Sequence, residues 1–312
     1  MEKTLGPAAI GIRGRSLPEA IELAHAGGFT SVAFEVREAA RLADERGTGH
    51  VRELFERAGV RPGFWGLPVA WGQADKRASA MLELPKLAAL ARELGCPRAT
   101  TGVSPGSDDR PFRENLSWHV ECLGPVAALL RDEGCDLGIE FIGPKTFRAR
   151  YRHEFIFTLG GLMDLATAIG TGNVGILLDS WHLYTSGGSA ADLDRLTAGD
   201  VTVVHVNDAP AGVPIEEQVD DVRALPLETG VIDLVGFMGK LREMGYTGPV
   251  MPEPFSQRLN DQAAADPLGA AREAGRAMDR LWHASGLTSF GFDCPTPSRR
   301  AEEDHGKARS PV

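Results

Sequence analysis

A short phrase recurs along this chain: a helical stretch, then a glycine, then a brief apolar run typical of a β-strand. It occurs at AHAGGFTSVAFEV, FERAGVRPGFWG, ARELGCPRATTG, RDEGCDLGIEF and LREMGYTGPVMPE, and more loosely at AIGTGNVGILLD. Glycine readily adopts the left-handed conformation that ends a helix, so each phrase predicts a helix-to-strand junction. Six such junctions imply at least six units of strand and helix.

The segments AAIGIRG and VTVVHVN complete a set of eight predicted strands. The strands are placed near residues 8–14, 31–36, 62–67, 98–103, 136–141, 174–179, 201–206 and 249–253. Strands that alternate with helices over about 250 residues predict a single-domain (β/α)8 TIM barrel of the α/β class. The alternative is a doubly wound open sheet, but no strand-to-helix turn carries the GxGxxG fingerprint.

Two local signals bound the predicted domain, residues 1–286. At its start, Ser16 and Glu19 flank Leu17 and Pro18 as a capping box, which predicts that the first helix begins directly after Ser16. At its end, residues 287–312 form a tail rich in serine, proline and charge, without apolar periodicity towards its C-terminus. We expect this tail to be partly disordered.

Four of the predicted strands end in a side chain that can bind a metal ion. Glu140 closes DLGIE, Asp179 closes VGILLD, His205 closes VTVVH and Glu253 closes GPVMPE. In a (β/α)8 barrel these strand ends meet at the face that forms the active site. Three carboxylates and one imidazole suit a divalent ion such as Mn²⁺, Mg²⁺, Co²⁺ or Fe²⁺, and suit structural zinc poorly. The alternative, for each residue alone, is a polar side chain that ends a strand where solvent begins.

Charge and composition limit the classes of partner that the chain is expected to bind. A formal net charge of −10 and a pI near 5.3 argue against a nucleic-acid-binding face, which needs clustered lysine and arginine. No signal peptide and no apolar run of membrane-spanning length is visible, so we expect a cytoplasmic protein without membrane contact. The four cysteines lack CxxC spacing and are interpreted as reduced and structural. A homo-oligomer and a subunit of a hetero-complex both stay open.

The segments GIEF, LLDSWH, VVHVND, VRALPLETGVID and MPEPF together resemble the sugar phosphate isomerase/epimerase superfamily. Its members have a xylose isomerase-like TIM barrel and include ketose 3-epimerases, hydroxypyruvate isomerases and inosose dehydratases. The resemblance covers about residues 8–285. It implies that Glu140, Asp179, His205 and Glu253 bind one divalent ion, and that Glu140 and Glu253 also form the acid/base pair.

The resemblance also implies that His182 and Arg223 contact the substrate. His182 lies three residues beyond Asp179, where we expect a loop. Arg223 lies in the long connection after the seventh strand, and a surface ion pair is the alternative interpretation. Many members of the superfamily have Gly-Glu-Gly in this connection, whereas this chain has LETG at residues 227–230.

Two further groups are candidates for substrate binding. The loop GPKTFRARYRHEF is basic, and Lys145 within it is a candidate for holding an anionic group of a substrate. The alternative is a solvated charged loop. Trp65, with Trp71 and Trp181, is a candidate for an apolar wall against a sugar, although each tryptophan is equally compatible with core packing.

Several functions remain open at this point. A metal that holds a carbonyl and a neighbouring hydroxyl favours proton loss between them, giving an enediolate that two carboxylates can reprotonate. The predicted function is therefore an isomerase or epimerase of a small sugar-like keto compound. The alternative is a lyase that acts on a keto-cyclitol or a 3-keto-glycoside. An apurinic endonuclease would need more histidine ligands than this chain places at strand ends, and the ligand set argues against a non-catalytic barrel.

Overall fold

Eight parallel strands close into a barrel in the computed structural model, which describes residues 1–287. Neighbouring strands follow the order of the chain, and the last strand pairs with the first through Pro249 and Glu2. This closed barrel confirms the predicted (β/α)8 fold and excludes the doubly wound sheet. The strands are β1 Glu2–Leu5, β2 Ser31–Phe34, β3 Arg61–Gly66, β4 Arg98–Val103, β5 Asp136–Phe141, β6 Val174–Asp179, β7 Val201–Val206 and β8 Pro249–Pro252.

Helices surround the barrel and two-residue strands, Gly106–Ser107 and His153–Glu154, pair above it. The predicted capping box is present: the backbone N–H of Ser16 donates to Glu19 Oε2 at 2.8 Å. The helices are α1 Leu17–Ala26, α2 Val36–Arg46, α3 Thr48–Ala58, α4 Ala74–Glu93, α5 Phe112–Asp132, α6 Lys145–Arg148, α7 Leu159–Ile169, α8 Ser180–Thr185, α9 Leu234–Glu243, α10 Gln257–Ala265 and α11 Pro267–Ala284.

The prediction for the first strand was wrong. The strand is Glu2–Leu5, and the predicted range 8–14 contains a 3₁₀ turn, Ala8–Ile10, followed by a loop. The apolar run is buried for another reason, because Ala9 packs with the residues that fill the barrel interior. The true strand is short and carries Lys3, whose buried ammonium pairs with Asp279 on α11. Its sequence therefore lacks the apolar signal of the other strands.

Side chains of the strands alternate between the barrel interior and the layer beneath the helices. Phe64, Leu177, Val203 and Met251 fill the interior, and a much larger apolar cluster lies between the strands and the helices. Because the interior is packed, a ligand can enter only at an end of the barrel. The carboxyl ends of the strands therefore position the site.

The described cysteines behave as predicted. Cys96, Cys122 and Cys135 are buried and free of disulfides. Burial raises the pKa of Cys96 to about 12 and that of Cys135 to about 11, so both are thiols at neutral pH. Cys294 and the predicted tail from residue 288 onward lie outside the described residues. Within residues 1–287, no helix combines the length and apolar character needed to cross a bilayer.

Candidate metal centre

The four predicted ligands meet at the carboxyl ends of β5 to β8. Asp179 and His205 are in register on neighbouring strands, and Glu253 follows β8 directly. One ligand atom from each of Glu140, Asp179, His205 and Glu253 lies within 4.8 Å of all the others. His205 Nδ1 is 3.5 Å from Glu140 Oε1 and 3.3 Å from Glu253 Oε2. The strand order of the barrel therefore builds a compact group of three carboxylates and one imidazole.

Several donor atoms of this group have no hydrogen-bond partner. Glu140 Oε1 and both ring nitrogens of His205 are buried and unpaired among the described residues. Buried polar atoms almost always have a partner, because an unpaired one costs free energy. A divalent ion between the four side chains would supply a partner for the Glu140 oxygen and for one of the two His205 nitrogens. The residues present therefore fit such an ion.

The two candidate acid/base carboxylates have different electrostatic environments. Burial raises the pKa of Glu140 to about 7, although His205 acts in the opposite direction. For Glu253, burial is outweighed by the positive charges of His205 and Arg223, which lower its pKa. Burial also disfavours the charged imidazole, but Glu253 and Glu140 outweigh it and raise the pKa of His205 to about 10. A bound cation would take over this charge balance, because a ligating imidazole must be neutral.

Asn207 connects the ends of three strands, and sequence analysis missed it. Its Nδ2 donates to both carboxylate oxygens of Asp179, at 3.2 and 3.4 Å, and its Oδ1 accepts from the backbone N–H of Glu253 at 2.5 Å. Asp179 is fully buried and also accepts from the backbone N–H of Trp181 at 2.7 Å. Asn207 lies two residues after His205, so both side chains face the same side of the strand. That spacing in VVHVND was the available signal.

Arg223 lies against the carboxylates of the candidate centre instead of at the surface. Its Nη1 donates to Asp179 Oδ2 at 2.8 Å and to Glu253 Oε2 at 2.9 Å. The guanidinium lies between the rings of Trp181 and Phe255, with its carbon 4.6 and 4.7 Å from their centroids. Only 1% of the side chain is exposed, so a surface ion pair is excluded. Arg223 balances the negative charge of the centre.

His182 is equally buried, and it lies on the helical turn α8 and not on the loop that we expected. Its Nδ1 accepts the backbone N–H of Gly143 at 3.2 Å. Its Nε2 lies 3.2 Å from Nη2 of Arg223, 3.9 Å from Glu140 Oε1 and 3.8 Å from Asp220 Oδ1. Burial, assisted by Arg223, lowers the pKa of His182 to about 3 and keeps it neutral. Its Nε2 therefore faces both the guanidinium of Arg223 and the carboxylates.

A cavity of about 580 Å³ leads to this centre from the side of β1 to β4. Glu140, His205 and Glu253 contribute to its lining, together with apolar groups that include Phe64 and Met251. Such a volume is within the range of small-molecule sites. The lining therefore combines carboxylates with apolar groups.

Trp65 and Lys145 do not line this cavity. The indole of Trp65 is fully buried on the outer side of β3 and donates to the backbone oxygen of Cys96 at 3.1 Å, whereas Phe64 faces the interior. Lys145 is exposed, and its Nζ lies 3.3 Å from Glu216 Oε2. Strand alternation explains the first position, and solvation of an exposed charged loop explains the second.

Comparison with known proteins agrees with this geometry. A model of the xylose isomerase-like TIM barrel family matches residues 21–281. An inosose isomerase from Halalkalibacterium halodurans is 25% identical over 154 residues, which are 49% of this chain and 51% of that protein. An L-ribulose 3-epimerase from Mesorhizobium japonicum is 24% identical over 235 residues, which are 73% of this chain and 72% of that protein. The chain thus spans about half the length of the inosose isomerase.

One solved structure covers nearly the whole chain. It is a xylose isomerase domain protein from Alicyclobacillus acidocaldarius subsp. acidocaldarius, 29% identical in sequence, with a TM-score of 0.80. The alignment covers 92% of this chain and 99% of that one. The barrel and its flanking helices are therefore shared along almost their entire length.

Proposed function

Because this chain belongs to the xylose isomerase-like TIM barrel family, we propose that it is a divalent-metal-dependent isomerase or epimerase of a small sugar or sugar-like keto compound. The observation that carries the proposal is the group of Glu140, Asp179, His205 and Glu253, whose ligand atoms lie within 4.8 Å of one another. The names of the isomerase and epimerase relatives support the reaction class. Mn²⁺, Mg²⁺ and Co²⁺ are the ions that we expect to support activity.

The proposed mechanism uses the two glutamates as an acid/base pair. When bound, the divalent ion would polarise the carbonyl of the substrate and acidify the neighbouring C–H bond. Glu140 and Glu253 extend from strands on either side of β7, so they can approach a bound carbon from two sides. One carboxylate accepts the proton, and the other donates a proton to the opposite face or to the neighbouring carbon. Epimerisation and aldose-ketose isomerisation are the respective outcomes.

His182 and Arg223 are proposed to contact the substrate beside the carboxylates, and neither of them lines the cavity. Nε2 of His182 lies 3.9 Å from Glu140 Oε1, where the imidazole can hydrogen-bond to a substrate oxygen. The guanidinium of Arg223 keeps Asp179 and Glu253 ionised and aligned through two hydrogen bonds. The side chains of His182 and Arg223 are each only 1% exposed. An oxygen of the substrate can therefore contact them only when it lies directly against the carboxylates.

Incubation in deuterated water with a panel of ketohexoses, inososes and 3-keto-glycosides tests this function, with products followed by NMR. We expect Mn²⁺-loaded protein to incorporate deuterium at a carbon next to the carbonyl and leave the carbon skeleton intact. Loss of water or of an aglycone would assign the lyase alternative. The Asp179→Ala variant is the control for metal dependence. Turnover of an identified substrate without cleavage of any C–H bond next to a carbonyl would refute the mechanism.

A further inference from the structure

Asp208 is a fully buried carboxylate that is held by backbone N–H groups alone. No lysine, arginine or histidine among residues 1–287 lies within ion-pair distance of it. A buried anion is costly unless hydrogen bonds satisfy its oxygens. Its two oxygens accept five backbone N–H groups, from Ala209 at 2.9 Å, Thr229 at 3.0 Å, Gly230 at 2.7 Å, Val231 at 3.1 Å and Ile232 at 3.0 Å.

These donors belong to the two ends of one long loop. The segment 207–233 connects β7 to α9 and contains only one short 3₁₀ turn, Ile215–Glu217. Loops of this length without regular structure are uncommon and usually functional. The carboxylate of Asp208 closes the loop at its base, because it binds the residue that opens the loop and the four residues with which the loop returns.

The backbone of Asp208 also fixes the position of Arg223. The N–H of Asp208 donates to Ala224 O at 3.0 Å, and the N–H of Ala224 donates to Asp208 O at 2.8 Å. Ala224 follows Arg223 directly, so this bridge ties the arginine to the strand that carries His205. From that point the guanidinium reaches two of the metal-binding carboxylates.

We propose that Asp208 is a positioning residue, which anchors the loop 209–232 so that the guanidinium of Arg223 stays between Asp179 and Glu253. Asparagine at this position would direct an amide donor into a cluster of N–H donors and release the returning segment. The inference rests on the proposed function in one respect only, the role of Arg223 in substrate turnover. The anchoring itself is independent of any substrate.

A double-mutant cycle on the metal-free full-length chain tests the proposal. The variants are Asp208→Asn, Arg223→Gln and both together, and the readout is the midpoint of thermal unfolding. Arg223→Gln leaves buried carboxylates unpaired and should lower the midpoint by about 5 to 15 °C in the otherwise unchanged chain. In the Asp208→Asn background, where the arginine is already displaced, the same change should cost less than half as much. Additive shifts would overturn the proposal.

A matched control separates positioning from general loss of stability. Asp200, at the other end of the same strand, accepts the backbone N–H of Thr197 at 2.7 Å, and it contacts none of the residues of the metal centre. Asp200→Asn should therefore combine additively with Arg223→Gln. If Asp208→Asn does not yield folded protein, Asp208→Glu, which keeps the charge but displaces the carboxylate, enters the same cycle and is judged by the same criterion.

Hydrogen-deuterium exchange locates the effect, and activity separates the two proposals. Amides 229–232 and the amide of Ala224 should exchange at least about tenfold faster in Asp208→Asn, while the amides of α7 stay unchanged. Unchanged exchange at 224 would refute the tie to Arg223. A wild-type protein that is inactive on all keto substrates would refute the proposed function, and it would leave the unfolding cycle and the exchange data to decide the anchor.

Discussion

Asn207→Ala is the sharpest single perturbation of the candidate centre that leaves all four ligands in place. The substitution removes the amide that donates to both oxygens of Asp179 and accepts the backbone N–H of Glu253. It deletes no ligand and changes no charge. We expect it to weaken metal binding, because the carboxylate of Asp179 and the backbone of Glu253 both lose the group that positions them.

The magnitude follows from the lost contacts. A hydrogen bond to a charged group contributes about 1.5 to 3 kcal/mol, and leaving a buried N–H unpaired costs about 1 to 3 kcal/mol. Asn207 is fully buried, so water cannot replace either partner without rearrangement. We therefore expect a loss of about 3 to 5 kcal/mol in the free energy of unfolding of the metal-free protein. Loss of a group that orients metal ligands typically lowers metal affinity by about 10- to 100-fold.

Competition of the protein with a fluorescent chelator for Mn²⁺ measures the affinity, and urea unfolding measures the stability. Asn173→Ala is the matched control, because Asn173 donates to two backbone oxygens, of Ala127 and Cys135, each at 2.9 Å, at the opposite end of the barrel. The control should lose stability and keep its Mn²⁺ affinity. An Asn207→Ala variant whose Mn²⁺ affinity stays within about twofold of the wild type would refute the orienting role.

Three other predictions use different parts of the structure. Glu140→Gln or Glu253→Gln, assayed when saturated with metal, should lower kcat by at least about 100-fold, and near-normal turnover of both would exclude the two-carboxylate mechanism. Burial lowers the pKa of His119 to about 4, so below pH 6.5 the unfolded chain binds more protons than the folded chain, and the free energy of unfolding decreases as the pH falls. His119→Phe should therefore remove about 2 kcal/mol of the stability that the wild type loses between pH 6.5 and pH 5, as measured by urea unfolding at both pH values. An unchanged dependence of stability on pH would contradict this. Gly143→Ala would clash with the backbone oxygen of His182, so it should lower the thermal midpoint by several degrees, and an unchanged midpoint would show that the loop adapts.

The strands that were predicted correctly are those whose apolar composition indicates that they are buried. For example, Val174–Asp179 and Val201–Val206 are nearly continuous apolar runs, as expected of parallel strands covered on both faces. Glu2–Leu5 contains two charged residues whose partners lie far away in the chain, so its sequence does not indicate a strand. The later apolar run was chosen in its place.

The candidate ligands were predictable because each ends a strand, whereas the residues that support them were not. The role of Asp208 depends on backbone N–H groups more than 20 residues away. Every residue except proline has a backbone N–H group, so the sequence does not indicate which of these groups bind a given carboxylate. Phe64 and Trp65 are adjacent on β3, so one of them faces the barrel interior and the other faces the helices. The sequence does not show which one faces inward, because that depends on the register of the barrel. Burial of His182 depends on Gly143, which comes from the loop of another strand.

Calorimetric titration of Mn²⁺ into chelator-stripped protein tests the central claim most directly. The claim is that Glu140, Asp179, His205 and Glu253 form one site for a divalent ion. We predict a stoichiometry of about one ion per chain in the wild type and no measurable binding in Asp179→Ala, with the same ion restoring activity to the stripped wild type. Absence of binding to the wild type, unchanged binding to the variant, or full activity after rigorous removal of metal would contradict the account.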